Sequence, residues 1–136
     1  MILCDTSVIV STLNGRDRDH VRCVVALRNL KRRLITTPAC IAEAMHLVRN
    51  YAGWNGQQTL IEWIETDFLA IHAANSTEDK RICALMRQYH NSPMDYADAS
   101  LVAAAETLQL TSILTLDGHF YAYLIGDESS FDVLPA

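Results

Sequence analysis

The sequence predicts an α/β protein with a three-layer α/β/α arrangement around a short, mostly parallel central sheet. Two features predict it. Apolar runs of three or four residues recur along the chain, and segments with helical periodicity separate them. Strands that alternate with helices pair in parallel, because each helix carries the chain back across the sheet. The 136 residues match the size of one domain, so residues 1–136 are expected to fold as a single unit.

The first half of the chain is predicted to hold two strands and four helices. The strands are expected at 2–4 and 34–36, and the helices at 8–13, 18–33, 38–50 and 55–66. Thr37 and Pro38 support the third helix, because threonine caps a helix N-terminus and proline is tolerated in the first turn. Asn14 and Gly15 are typical of the turn that ends the first helix.

The second half is predicted to hold three strands and two helices. The strands are expected at 68–71, 112–115 and 131–133, and the helices at 75–90 and 93–108. Asn75 followed by Glu78 is a capping pattern that marks the start of the first helix. Ser92 followed by Asp95 repeats the pattern. Asp95 is therefore interpreted as a capping residue at the third helical position rather than as half of a paired-carboxylate site.

Charge is unevenly distributed along the chain. The net charge is −5, which counts against a nucleic-acid partner, because phosphate binding depends on lysine and arginine. Residues 1–87 nevertheless carry eleven bases and nine acids, whereas residues 88–136 carry seven acids and no lysine or arginine. Seven of the bases lie between Arg16 and Arg33. That stretch could follow an RNA backbone, although a charged helix face is more often simply solvated.

One acid of the base-free tail, Asp98, falls where a helix should bury apolar groups. At about 100° per residue, it lies within the stripe formed by Met94, Leu101, Val102 and Ala105. An unpaired carboxylate there costs on the order of several kcal/mol unless something compensates it. Because no base is near in sequence, a bound metal ion is the leading explanation. The alternative is compensation by backbone N–H groups or by an arginine from elsewhere in the fold.

Two further acids, Asp5 and Asp117, each follow a predicted strand and precede a turn. The carboxyl ends of parallel strands lie at one edge of a sheet, so these acids converge if their strands are neighbours. The alternative is that each only caps the turn that follows it. Clustered carboxylates bind Mg²⁺ or Mn²⁺, and such an ion assists hydrolysis of a phosphodiester. Glu43 is the weakest candidate, because periodicity places it at the edge of a solvated polar arc.

Four segments of the chain resemble, in order and spacing, the PIN-domain family, and most closely the VapC-type toxins of bacterial and archaeal toxin–antitoxin pairs. The segments are ILCDTSVIV, TPACIAEAMHLV, MDYADASLVAAAE and ILTLDGHF. The resemblance implies a PIN-like three-layer fold and a Mg²⁺- or Mn²⁺-dependent endoribonuclease that cleaves RNA. It also implies frequent homodimers and inhibition by a cognate antitoxin protein.

The same resemblance assigns roles to seven residues. It implies that the catalytic metal ligands are Asp5, Glu43, Asp98 and Asp117. It implies that the hydroxyl groups near the ion belong to Thr6, Ser7 and Thr115. The fourth acidic position varies within the family, so Asp117 is the least constrained of the ligands.

Two other functions stay open. A protein of the same fold could bind RNA or another protein without cleaving it. A phosphatase could use Asp5 as a covalent nucleophile, but that class needs a second acid two residues later, where this chain has Ser7. His119, close to Asp117, could contact a phosphate. The sequence suggests no role for Asp127, Glu128 or Asp132.

The cysteines and the N-terminus bear on location. The four cysteines show no C-x-x-C or Cys/His spacing, which indicates free thiols in a reducing compartment. Asp5 interrupts the short N-terminal apolar run, so neither a signal peptide nor a membrane segment is predicted. A cytoplasmic protein without membrane association is expected.

Overall fold

In the computed structural model, which describes residues 1–135, five short strands form one parallel sheet. They are β1 (Ile2–Cys4), β2 (Leu34–Thr36), β3 (Leu69–Ile71), β4 (Ser112–Leu114) and β7 (Asp132–Leu134). Their order across the sheet is β3-β2-β1-β4-β7, and every neighbouring pair is parallel. The predicted α/β class with a mostly parallel central sheet is therefore confirmed.

Five helices flank this sheet. They are α1 (Thr6–Leu13), α2 (His20–Asn29), α3 (Pro38–Glu65), α4 (Ser76–Gln88) and α5 (Tyr96–Leu108). A 3-10 helix (Gly118–Tyr121) follows β4, and an antiparallel pair, β5 (Leu124–Ile125) and β6 (Ser129–Ser130), precedes β7. The sequence predicted neither the 3-10 helix nor this pair. Within residues 1–135, no helix is both long and apolar enough to cross a membrane.

The period-2 geometry of the strands divides the core into two layers. Leu3, Ile35 and Ile113 pack with buried residues of α4 and α5 on one face. Their strand neighbours Cys4 and Leu114 pack with buried residues of α1, α2 and α3 on the other. Both faces of the sheet are thus covered, as parallel sheets require. The three-layer arrangement follows from this burial.

The long helix α3 contains the break that the sequence predicted near residues 50–55. Gly53 has φ 63° and ψ −159°, a conformation that glycine adopts without strain. Three residues later, a Cβ at Gly56 would lie 2.6 Å from the Cβ of Ala52 and 2.7 Å from the Cγ1 of Val48. Gly53 therefore permits the break in α3, and Gly56 permits the close approach of its second half to Val48.

The start of α5 differs from the prediction. Asp95 is itself the N-cap, and the helix begins at Tyr96 rather than at Pro93. The Asp95 carboxylate accepts a hydrogen bond from the Asp98 N–H at 2.8 Å, and Asp98 accepts one from the Asp95 N–H at 3.3 Å. Ser92 belongs to the preceding turn, where its N–H donates to the Tyr89 carbonyl at 2.9 Å. The capping role of Asp95 was right, but its position and its partner were wrong.

Two acids of residues 88–136 pair with an arginine that lies outside that segment. Arg81 of α4 forms a bidentate pair with Glu106 of α5, with nitrogen to oxygen distances of 2.8 and 2.9 Å. The same guanidinium donates to Asp127 at 3.2 Å, and Glu106 also accepts from the Gly126 N–H at 2.9 Å. Arg81 and Glu106 thus fasten the turn between β5 and β6 to the two helices. The structure assigns Asp127 this role, which the sequence did not suggest.

We expect Glu106→Gln to lower the free energy of unfolding by roughly 1–2 kcal/mol. The change weakens a charge-assisted bidentate pair and removes the negative charge that faces the half-buried Arg81 guanidinium. Urea unfolding followed by circular dichroism measures the change. Asp127→Asn is the matched control, since its side chain is 53% exposed and the effect should be about 0.5 kcal/mol or less. Equal losses in the two variants would contradict the assigned role of Glu106.

Candidate metal centre

The carboxyl edge of the sheet brings together residues from distant parts of the sequence. Because β1 and β4 are parallel neighbours, Asp5 follows one strand and Thr115 follows the strand beside it. The Asp5 N–H donates to the Leu114 carbonyl at 2.9 Å, so the register of the sheet continues into both loops. Asp5 and the segment leading to Asp117 therefore emerge side by side, as the rule for open parallel sheets predicts.

The Asp5 carboxylate is held by three donors. Its Oδ1 accepts a hydrogen bond from the Thr6 N–H at 2.7 Å. Its Oδ2 accepts from the Ser7 hydroxyl at 3.0 Å and from the Thr115 hydroxyl at 2.7 Å. Asp5 is only 5% exposed, so these bonds replace most of its hydration. The orientation of the carboxylate is consequently fixed by its surroundings.

The three predicted hydroxyl residues make different contacts. Ser7 and Thr115 bond Asp5 directly, and the Thr115 hydroxyl also accepts from the Asp117 N–H at 3.0 Å. Thr115 therefore connects two of the predicted acids. The Thr6 hydroxyl instead donates to the Cys40 carbonyl at 3.3 Å and ties α1 to α3. Only the backbone of Thr6 reaches Asp5.

Asp98 enters the site from α5. It occupies the third position of the helix and is only 8% exposed. The helix is held near the start of α3 by a 2.6 Å hydrogen bond between the hydroxyls of Thr37 and Ser100. The Asp98 carboxylate accepts a hydrogen bond from the Asp95 N–H. Among residues 1–135, no lysine or arginine pairs with it. Glu43, on α3, is exposed on the same side of the sheet edge.

All four predicted acids line one open cavity of about 370 Å³. The full lining is Asp5, Thr6, Ser7, Glu43, Leu47, Pro93, Asp95, Asp98, Asp117 and His119. Within the described chain, no lysine or arginine belongs to this lining. A concave surface with converging carboxylates and no fixed positive charge is the kind of site that binds a cation.

The electrostatics of the cavity show the cost of this arrangement. Burial raises the pKa of Asp5 to about 6, although the hydrogen bonds from Thr115, Ser7 and Thr6 oppose the shift. Burial likewise raises the pKa of Asp98 to about 7, and the charges of Asp95, Asp5 and Asp117 add to the effect. Asp98 is thus partly protonated at neutral pH, and Asp5 loses its proton only as pH rises through about 6, unless a cation offsets their charge.

The donor chemistry fits a hard divalent cation that keeps part of its hydration shell. Among residues 1–135, no three histidine, cysteine, aspartate or glutamate side chains are grouped closely enough to form a ready-made coordination sphere. Mg²⁺ commonly binds through one or two carboxylates and keeps several waters, so it does not need such a group. Carboxylates distributed around a 370 Å³ cavity suit a hydrated ion.

Four residues of the lining, Leu47, Pro93, Asp95 and His119, were not among the predicted site residues. Leu47 lies one helical turn beyond Glu43, and Pro93 precedes α5. Asp95 was interpreted as a cap only, yet it lines the cavity as well as capping α5. Helical spacing from Glu43 could have indicated Leu47, whereas the positions of Pro93 and Asp95 depend on where α5 begins. His119 also lines the cavity, and its Nδ1 lies 2.7 Å from an Asp117 oxygen.

Comparison with solved structures shows the same fold in several proteins, two of which are described as a toxin and a toxin–antitoxin complex. Mycobacterium tuberculosis VapC20, described as a sarcin-ricin loop cleaving toxin, aligns with a TM-score of 0.83 at 15% identity, over 90% of this chain and 94% of that one. A toxin–antitoxin complex from Klebsiella pneumoniae aligns at 0.70 and 19% identity, over 93% and 94% of the two chains. FitAcB from Neisseria gonorrhoeae aligns at 0.66 and 25% identity, over 97% of each chain.

Comparison of the sequence gives the family. No curated protein sequence matches the chain at a significant level. The sequence model of the PIN domain, in contrast, matches residues 2–124, which include all four predicted acids. The family resemblance of the four motifs is thereby confirmed. The chain belongs to the PIN-domain family.

Proposed function

We propose that this protein is a Mg²⁺- or Mn²⁺-dependent endoribonuclease and the toxin of a toxin–antitoxin pair. The observation that carries the proposal is the convergence of Asp5, Glu43, Asp98 and Asp117, from four separate elements, on one cavity. Such a site has no evident structural purpose, because burial and mutual repulsion raise the pKa of two of its acids. A bound divalent cation would turn that repulsion into attraction.

In this proposal, Asp5, Asp98 and Asp117 hold the ion, and Glu43 is a further ligand on the exposed side of the cavity. When bound, the ion supplies Lewis-acid chemistry, activating water and offsetting the negative charge that develops on the phosphodiester. Ser7 and Thr115 set the orientation of Asp5 before RNA arrives, because their hydroxyls already donate to its carboxylate.

Two basic groups near the acids are suited to bind phosphate. His119 lines the cavity, with a side chain that is 51% exposed. Arg22 of α2 lines a smaller neighbouring cavity of about 80 Å³ together with Thr115 and Asp117. The basic stretch that includes Arg22 thus approaches the site from one side, and we propose that it follows the RNA backbone. The overall negative charge of the chain does not oppose this, because four of its acids are the proposed ligands of the ion, whose positive charge would offset theirs.

The structural relatives support the finer parts of the proposal. One is described as a toxin that cleaves the sarcin-ricin loop, and another as a toxin–antitoxin complex. We infer an RNA substrate, an antitoxin partner and a homodimer in the cytoplasm. The phosphatase alternative has no observation in its favour, because the position that needs a second acid is Ser7, whose hydroxyl is already bonded to Asp5 and to the Leu116 N–H.

We expect Asp98→Asn to reduce RNA cleavage at least a hundredfold in Mg²⁺ or Mn²⁺, on the order of the loss when a metal centre loses a charged ligand. Asparagine keeps an acceptor for the Asp95 N–H, so α5 should remain capped. Cleavage is measured on a panel of structured RNAs that includes a sarcin-ricin stem-loop, with EDTA as the metal-free control. Wild-type rates in Asp98→Asn would overturn the nuclease mechanism. Wild-type metal binding with no cleavage of any RNA would favour a binding protein.

The raised pKa values predict an unusual dependence of stability on pH in EDTA. Asp5 and Asp98 titrate at about 6 and about 7 when folded, but at about 3.9 when unfolded. Between these values the folded state holds more protons than the unfolded state, so these groups lower the free energy of unfolding as pH rises. Asp98→Asn removes its share of this effect. The melting temperature of Asp98→Asn minus that of the wild type should therefore increase from about pH 4.5 to pH 7.5.

Saturating Mg²⁺ provides the control for that experiment. Because it binds only the folded state, it should raise the melting temperature of the wild type at about pH 7.5. It should raise that of Asp98→Asn much less. A melting-temperature difference between the two proteins that stays constant with pH would contradict the burial of an uncompensated charge at Asp98.

We expect induced expression to slow bacterial growth, and Asp98→Asn to abolish that effect at an equal protein level. If a small antitoxin is encoded directly upstream of this protein, its coexpression should restore growth. Growth curves and immunoblots measure both effects. If the wild type cleaves RNA in vitro but leaves growth unchanged, the chain is a nuclease and the toxin assignment fails.

A further inference from the structure

Tyr123 is a fully buried aromatic residue that packs behind the wall of the acidic cavity. Its exposure is 0%. Its ring makes edge contacts with Tyr89 and Phe120, with centroid distances of 5.2 and 5.1 Å. It also stacks with His119, at 6.3 Å and an interplanar angle of 17°. Because His119 itself lines the cavity, Tyr123 lies directly behind a residue of the site.

The Tyr123 hydroxyl is without a hydrogen-bond partner among residues 1–135, and it is the only buried side-chain oxygen or nitrogen in that range of which this is true. Native proteins satisfy nearly all such groups, because an unmade hydrogen bond in the interior costs stability. A phenylalanine would fill the same space without that cost. The hydroxyl is therefore a buried donor that remains available to a water or to a nearby carboxylate acceptor.

The charges around the hydroxyl identify where that partner lies. Burial is the main reason that the pKa of Tyr123 is well above its usual value, and the carboxylates of Asp98, Asp117 and Asp95 raise it further, in that order. All three acids line the cavity. The Tyr123 hydroxyl thus lies within electrostatic reach of these acids, and Asp98 is the carboxylate that affects it most.

We propose that Tyr123 is a positioning residue of the metal centre, whose hydroxyl donates a hydrogen bond to the Asp98 carboxylate, directly or through one water, when the ion is bound. The inference rests on the proposed function, since it requires that Asp98 serve a metal ion. The Asp98 carboxylate needs such a donor, because in the described chain it accepts a hydrogen bond only from the Asp95 N–H, at 3.3 Å. Donors of this kind orient a ligating carboxylate and strengthen metal binding.

The test compares Tyr123→Phe with Tyr89→Phe. The two tyrosines touch each other, but the Tyr89 hydroxyl already accepts a hydrogen bond from the Leu124 N–H at 3.1 Å. Mn²⁺ affinity is measured by isothermal titration calorimetry, and the melting temperature is measured in EDTA. We expect Tyr123→Phe to bind Mn²⁺ about tenfold more weakly and to melt in EDTA at or above the wild-type temperature. Tyr89→Phe should melt lower and bind Mn²⁺ as the wild type does.

Two results would overturn the inference. One is a Tyr123→Phe affinity within twofold of wild type. The other is a lower melting temperature in EDTA with equal losses of affinity in both variants, which would indicate a purely structural role. Asp98→Asn separates this failure from failure of the proposed function. If Asp98→Asn loses Mn²⁺ binding while Tyr123→Phe retains it, only the role of Tyr123 is wrong. If Asp98→Asn binds Mn²⁺ as tightly as the wild type, both proposals fail.

Discussion

The parallel pairing of β1 with β4 is the interaction on which the site depends. It places the residues after two strands, separated by more than a hundred positions in the chain, at one edge of the sheet. The 2.7 Å hydrogen bond from Thr115 to Asp5 is its direct consequence. Once Asp5 is fixed there, α3 and α5 bring Glu43 and Asp98 to the same cavity. A shift of register would separate the hydroxyl donors from the acid that they hold.

Two kinds of acid in the second half of the chain show how differently the fold treats negative charge. Glu106 is neutralised by Arg81 in a bidentate pair that fastens the β5–β6 turn. Asp98 is more deeply buried than Glu106, yet it has a backbone donor and three acidic neighbours instead of a base. An arginine within reach of Asp98 would stabilise the folded state, but it would also occupy the place of a cation. The stability lost at the cavity is thus tied to its capacity to bind one.

The parts of this fold that could be predicted from the sequence are those that local patterns determine. Apolar runs indicated the five parallel strands, and helical spacing indicated that Asp98 lies on a buried face. The predictions failed where distant contacts decide the outcome. Arg81, for example, reaches Glu106 only after α4 packs on α5. The error at the start of α5 was instead local, because the chain offers two overlapping capping patterns and the structure uses Asp95 with Asp98 rather than Ser92 with Asp95. No sequence pattern indicated Tyr123, because its proposed role depends on a buried hydroxyl that has no hydrogen-bond partner among residues 1–135.

The buried carboxylates and the unsatisfied Tyr123 hydroxyl are two costs with one remedy. Both oppose folding of the metal-free protein, the first through desolvated negative charge and the second through an unmade hydrogen bond. A cation in the cavity would remove the first directly, and by drawing Asp98 into a fixed position it would provide a partner for the second. Metal binding and folding should then be coupled, because the ion favours only the folded state in which these groups converge.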